Sequence, residues 1–149
     1  MKCRLIGVCN SLSKALEFSK DIPLLILRLT LAYGFYTPAM NKWSDIDSVA
    51  AWFTSMNYPL PKLNAYLAAG TETAGIVLLA LGFASRLISI PLIFVMMVAI
   101  FTVHYSNGWE AGNNGFEIPF YYLVMLLVVL VYGPGKYSLE GIIKKMQSK

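Results

Sequence analysis

Four stretches of this chain stay apolar over long runs with few charges. They extend from about Ile22 to Met40, Leu63 to Phe83, Leu87 to His104 and Ile118 to Tyr132. No period-2 alternation bounded by turn residues accompanies them, so strands are not predicted. A bilayer core takes about 20 mostly apolar residues per helix. Closed helices are the way such segments satisfy their backbone in lipid. The pattern therefore predicts an all-α fold, an integral membrane four-helix bundle forming one domain over residues 1–149, with spans at 22–40, 63–83, 87–104 and 118–132.

Two shorter stretches carry one-sided patterns. "NSLSKALEF" turns Leu12, Leu16 and Phe18 toward one side and predicts a surface helix. In "SDIDSVAAWFTSMNYPLP", Ser44 is the expected N-cap, with Asp45 and Asp47 in a first turn whose dipole favours acids. Val49, Trp52, Phe53 and Met56 then follow i, i+3, i+4, i+7 spacing until Pro59 and Pro61 end the run. This predicts a short amphipathic helix on the outer face of the membrane. Trp43, Trp52, Tyr58 and Trp109 fall near that boundary, as an aromatic belt requires.

Composition settles which solvent the helices meet. Of the 149 residues, 57% are hydrophobic and 13% charged, with a mean hydropathy of +0.60. Soluble domains carry roughly 25% charged residues, so the bilayer is the expected surrounding. The net charge of +4 comes without a basic cluster interleaved with aromatics, and no nucleic-acid partner is expected. Its distribution is more telling. Lys2, Arg4, Lys14, Lys20, Arg86, Lys136, Lys144, Lys145 and Lys149 would share one side, and Lys42 and Lys62 the other. The positive-inside bias then predicts that both termini are cytoplasmic. Cys3 and Cys9 match neither a disulfide framework nor a zinc site and read as incidental thiols. The apolar stretch after Lys2 and Arg4 is too short and broken for a cleavable signal peptide.

The candidate chemistry is a small set of ionisable residues. Glu72 lies near the middle of the second span, at the inner end of a stripe made by Ala65, Ala68 and Ala69, with Gly75 beyond it. Small residues let another helix approach closely, so Glu72 is expected to face protein. Arg28, in the first span, is the other charge at depth, and the two form the expected intramembrane polar pair. Such a pair can hold helix register or form a buried site for a proton, a quinone or another polar ligand.

At the outer rim Tyr36, Lys42, His104 and Glu117 fall at one level and form a second expected cluster. Each also has a structural explanation: Lys42 snorkels, Glu117 stabilises a helix N-terminus, and His104 caps a helix end. His104 shares a helix face with Met97, and Met40 ends the first span at a similar height. His with Met suits Cu(I), whereas Met alone fills cores. The phosphate-loop, nucleophile-elbow, H-E-x-x-H and C-x-x-C-H signatures do not occur.

"LLILRLTLAYGFYTPAMNKW", "AYLAAGTETAGIVLLALGFASRLISIPL", "FTVHYSNGW" and "YGPGKYSL" together resemble the DoxX-like family of four-helix membrane proteins, over about Leu24 to Leu139. Within it, "NKWSDIDSVAAWF", "RLISIPL", "TVHYSNGW" and "NNGFE" are most similar to the HvfX group, which is linked to maturation of copper-binding peptides. The resemblance implies a bacterial inner-membrane location. It also implies an accessory role in redox chemistry or copper-peptide maturation, beside a protein partner or in a homo-oligomer. A quinone-linked subunit of an oxidoreductase is one alternative and a small oligomeric transporter another. Quinone and copper are the cofactors these readings invoke. Arg28, Lys42, Glu72, Arg86, His104 and Glu117 fall where the family pattern places its polar positions.

Overall fold

The computed structural model describes residues 19–147, and within them the chain is helical with no strand. The expected surface helix around Leu12, Leu16 and Phe18 lies outside the described residues, as do Cys3 and Cys9. Helix α1 spans Asp21–Ser44, α2 Ile46–Ser55, α3 Pro61–Leu81, α4 Ser85–Ala99, α5 Glu117–Tyr132 and α6 Leu139–Gln147. A π-helical turn, Ile100–His104, and a 3-10 turn, Tyr105–Asn107, prolong α4. Helices α1 and α3 and the prolonged α4, Ser85–Asn107, are long and apolar enough to cross a membrane, and α5 is a shorter apolar helix.

Local chemistry sets most boundaries. Pro61 stands at the first helical position of α3, where its missing N–H costs nothing. Gly82 ends α3 at φ +68°, its N–H returning to the Leu79 carbonyl. Pro38 and Pro91 sit inside α1 and α4, where they remove the N–H that would bond the carbonyls of Gly34 and Leu87. One expected cap is corrected. Ser44 belongs to the last turn of α1, its hydroxyl donating to the Asn41 carbonyl, and the chain turns at Asp45. Asp45 is the cap of α2: its carboxylate accepts from the Ser48 N–H at 3.0 Å and from the Ser48 hydroxyl at 2.6 Å.

The four long helices close a ring in which α1 packs on α3, α3 on α4, α4 on α5 and α5 back on α1. Leu31, Ala32, Phe35, Leu79, Leu92, Met96, Leu126 and Val129 form its core. Where side chains shrink, helices close in. A Cβ on Gly75 would meet the Leu92 side chain, and one on Gly34 would overlap the Tyr122 ring. Tyr122 also meets Phe35 edge-on at 5.5 Å between centroids. Helix α2 packs Ala50 and Phe53 against Ala65 at the start of α3. Outward faces remain apolar: Ile26, Leu29, Phe94, Phe101 and Val131 are all exposed. Helices that are apolar all round and not enclosed by protein belong in a bilayer.

Candidate functional site

Glu72 stands on the buried face of α3, in line with Ala65, Ala69, Gly75 and Leu79. Its side chain is 2% exposed, and its two oxygens lie 2.9 and 2.8 Å from the Lys42 ammonium. The ammonium also reaches the Pro38 carbonyl at 3.5 Å and keeps 24% exposure. Beside it, the Trp43 indole N–H donates to the Thr73 hydroxyl at 2.8 Å, and that hydroxyl donates to the Ala69 carbonyl. The Trp43 ring lies tilted against Tyr66. A carboxylate and an ammonium thus sit together inside an apolar bundle, with an indole–hydroxyl contact along one edge.

The expected Arg28–Glu72 pair does not form. Arg28 is fully buried, but its guanidinium donates to the Leu79 carbonyl at 2.9 Å and to the Tyr137 carbonyl at 2.5 Å. The cause is side-chain direction. In a helix each Cα–Cβ bond leans toward the N-terminus, and α1 and α3 run antiparallel. Arg28 therefore leans toward the Asp21 end of α1, and Glu72 leans the opposite way, toward Pro61. Lys42, fourteen residues or about 21 Å above Arg28 along α1, leans down onto Glu72. The Leu79 carbonyl, in the last turn of α3, accepts only the capping Gly82 N–H and carries the negative end of the helix dipole, which leaves a lone pair for Arg28.

Arg28 helps build a second polar site that the sequence reading missed. The segment Gly133–Ser138 crosses the Asp21 end of the bundle as a strap. Asp21, 6% exposed, accepts the Lys136 backbone N–H at 2.9 Å and lies 3.6 Å from the Lys136 ammonium. The Ser138 hydroxyl accepts from the Gly141 N–H at 3.0 Å, capping α6. A Cβ on Gly82 would collide with the Arg28 guanidinium and with Ser138, so the close approach requires glycine. Arg86 donates to the Val131 carbonyl at 3.1 Å, at the end of α5. The signals in the sequence were Asp21 at a helix start and Ser-x-x-Gly at 138–141.

The rim cluster also resolves differently. Tyr36, Lys42, His104 and Glu117 share no hydrogen bond or ion pair with one another. Lys42 is drawn inward to Glu72, and Tyr36 is exposed. The ring nitrogen Nδ1 of His104 lies 2.7 Å from the Asn114 carbonyl. Glu117 accepts from the Ala111 N–H at 3.1 Å and from the Tyr121 hydroxyl at 2.9 Å. Helix ends in this loop offer backbone donors and acceptors nearer than any rim side chain. Asn114 adopts φ +59° and presents its carbonyl to both His104 and Asn107.

Facing a carbonyl, Nδ1 of His104 is the donor to Asn114, and in the neutral tautomer this fixes, Nε2 is the lone-pair nitrogen. Met97 is 38% exposed while its neighbour Met96 fills the core, and Met40 is 37% exposed on α1. Among the described residues no three His, Cys, Asp or Glu side chains gather as a metal site.

Comparison with known proteins adds a lineage to this geometry. A family model described as DoxX matches residues 23–105. An uncharacterised protein of Haemophilus influenzae is 32% identical over 133 residues, covering 84% of this chain and 85% of that protein. "Inner membrane protein YphA" of Escherichia coli is 28% identical, covering 82% of this chain and 91% of its own length. A Bacillus subtilis protein named "Putative oxidoreductase CatD" is 29% identical, over 72% of this chain and 75% of that protein. No solved structure matches the chain.

Proposed function

The chain belongs to the DoxX family of membrane proteins, and on that premise we propose that it is an inner-membrane subunit of a redox system. In this reading the Lys42–Glu72 pair receives the polar headgroup of a quinone. The observation that carries it is the ion pair itself, 2.8 Å long, with its carboxylate 2% exposed inside an apolar bundle. Holding helix register does not require such a pair, because the stripe of Ala65, Ala69 and Gly75 already brings the helices together. Desolvating both charges is expensive, and ionisable residues kept within a membrane point to function.

Opened by a ligand, the pair offers one donor and one acceptor. The ammonium would hydrogen-bond a quinone carbonyl, and the carboxylate would hold the proton that reduction requires. Electrons would come from a partner carrying the redox centre, since the chain itself has no cofactor-binding signature. The printed name of the Bacillus relative supports a redox setting and that of the Escherichia relative an inner-membrane one. The test is a thermal-shift titration of purified protein with a short-chain quinone. Stabilisation of the wild type, lost in the Lys42→Met, Glu72→Gln double variant, is expected. Wild-type protein that melts unchanged at saturating quinone overturns the reading.

A second reading follows the motifs "TVHYSNGW" and "NNGFE", whose similarity to the HvfX group supports an accessory role in copper-binding peptide maturation. The available Nε2 of His104 at the outer end favours it. Copper that co-purifies with the wild type and is lost in His104→Ala would distinguish it from the quinone reading.

We further propose four membrane passes with both termini cytoplasmic. Helix α5 is 16 residues, about 24 Å at 1.5 Å per residue, and it closes the ring between α4 and α1. Reporter fusions at both termini check this, and periplasmic activity of either overturns it.

A further inference from the structure

Helix α6 carries an apolar face that joins neither core cluster of the described residues. Leu139, Ile142, Ile143 and Met146 fall at i, i+3, i+4 and i+7, and they are 40, 54, 42 and 72% exposed. None of its residues is buried. Such a stripe is costly in water, at about 25 cal/mol for each Å² left wet. It is also firmly held. Ser138 caps its first turn, the Glu140 N–H reaches the Gly82 carbonyl at 3.4 Å, and Arg28 and Asp21 fix the strap just before it. The polar side of the first turn, Glu140 and Gly141, faces the strap and the end of α3, so the stripe points away from the bundle.

Charge decides what covers that face. At this end of the bundle the described residues include Lys20, Arg86, Lys136, Lys144 and Lys145 against Asp21 and Glu140. Asp21 is already committed to Lys136. The opposite end carries Asp45, Asp47, Glu110 and Glu117 against Lys62, with Lys42 drawn into the bundle by Glu72. An apolar stripe flanked by lysines, tethered where the spans leave the bilayer, complements a surface of acyl chains beneath acidic headgroups.

We infer that α6 is an anchored interfacial helix that binds the acidic phospholipid surface of the leaflet at the strap end of the bundle. Leu139, Ile142, Ile143 and Met146 enter the acyl boundary, and Lys144 and Lys145 meet lipid phosphates. Because the strap also holds Arg28, this contact ties the Asp21 end of the bundle to its lipid surroundings.

The test uses full-length protein with Cys3→Ser and Cys9→Ser, carrying one environment-sensitive fluorophore on Ile143→Cys or, separately, on Met146→Cys. Each is reconstituted in nanodiscs of phosphatidylcholine alone or with added phosphatidylglycerol. The expected result is bluer emission and loss of quenching by an aqueous quencher when phosphatidylglycerol is present, at both positions. Adding Lys144→Glu and Lys145→Glu should abolish the dependence on phosphatidylglycerol. Labels quenched equally in both lipid compositions overturn the inference. So does protection that appears only when two or more copies share a disc, since a second copy would then cover the stripe. Protection unchanged by the lysine substitutions overturns the assignment to acidic headgroups.

Discussion

Removing either member of the Lys42–Glu72 pair should cost stability, but by unequal amounts. In general, breaking a buried ion pair by deleting one partner costs about 3–5 kcal/mol, because a charge is left without compensation. Exposure separates the two cases. Glu72 is 2% exposed and cannot reach water, so Lys42→Met should carry about that full cost. Lys42 keeps 24% exposure on a long, flexible stem. After Glu72→Gln it can snorkel outward, and the loss should fall to about 1–3 kcal/mol.

For a chain of this size each kcal/mol moves the melting temperature by about 2–4 °C. Lys42→Met should then melt roughly 6–20 °C below the wild type. The double variant, with Met beside a neutral Gln amide, should recover part of that loss, because no uncompensated charge remains in the bundle. Melting of purified protein in detergent, followed by tryptophan fluorescence, reads this directly, because Trp43 hydrogen-bonds Thr73 beside the pair. Single losses that simply add in the double variant would mean the two side chains do not interact, and the site as described would be refuted. Glu72→Gln costing more than Lys42→Met would refute the exposure argument alone.

Three further outcomes test other parts of the structure. Arg28→Met removes two charged donations, each worth about 1.5–3 kcal/mol, and frees the strap, so trypsin should cut faster at Lys136; its loss should add to that of Glu72→Gln, and strong coupling between them would restore the pair that the structure rejects. Gly82→Ala places a side chain at φ +68°, where an L-residue costs about 1–2 kcal/mol, and drives it into Arg28 and Ser138, so yield or melting temperature should fall while Gly112→Ala, whose Cβ meets nothing, leaves both unchanged. Hydrogen bonds from the Ser48 hydroxyl and N–H hold the Asp45 carboxyl below the usual aspartate range; its contribution is therefore present above the ordinary value of about 4 and is lost as pH falls through the lower folded value. Asp45→Asn should lack that part of the acid loss, seen as a flatter dependence of melting temperature on pH below about 4.

Much of the fold was legible without coordinates, for a local reason. Run length, charge poverty and the demand that backbone groups be satisfied in lipid act on each segment separately. The observed helices accordingly lie within a few residues of the apolar runs, with α3 stopping at Leu81 and α4 passing into a π-helical turn at Ile100, and α2 falls where its i, i+3, i+4 pattern placed it. The burial of Glu72 was legible for the same reason: Ala65, Ala69 and Gly75 share its face whatever the partner.

What each charge touches was decided by tertiary structure. Depth along the sequence suggested Arg28 for Glu72, but the antiparallel arrangement of α1 and α3 turns those two side chains away from each other and Lys42 toward Glu72. The strap could not be read from hydropathy at all. Its polar groups come from the first half of α1, the Leu79 carbonyl at the end of α3 and the segment after α5, and Asp21 and Lys136 lie 115 positions apart in the chain. Local pattern fixes which residues can be buried; only the packing of helices from distant parts of the chain fixes which donor and acceptor arrive at the same place.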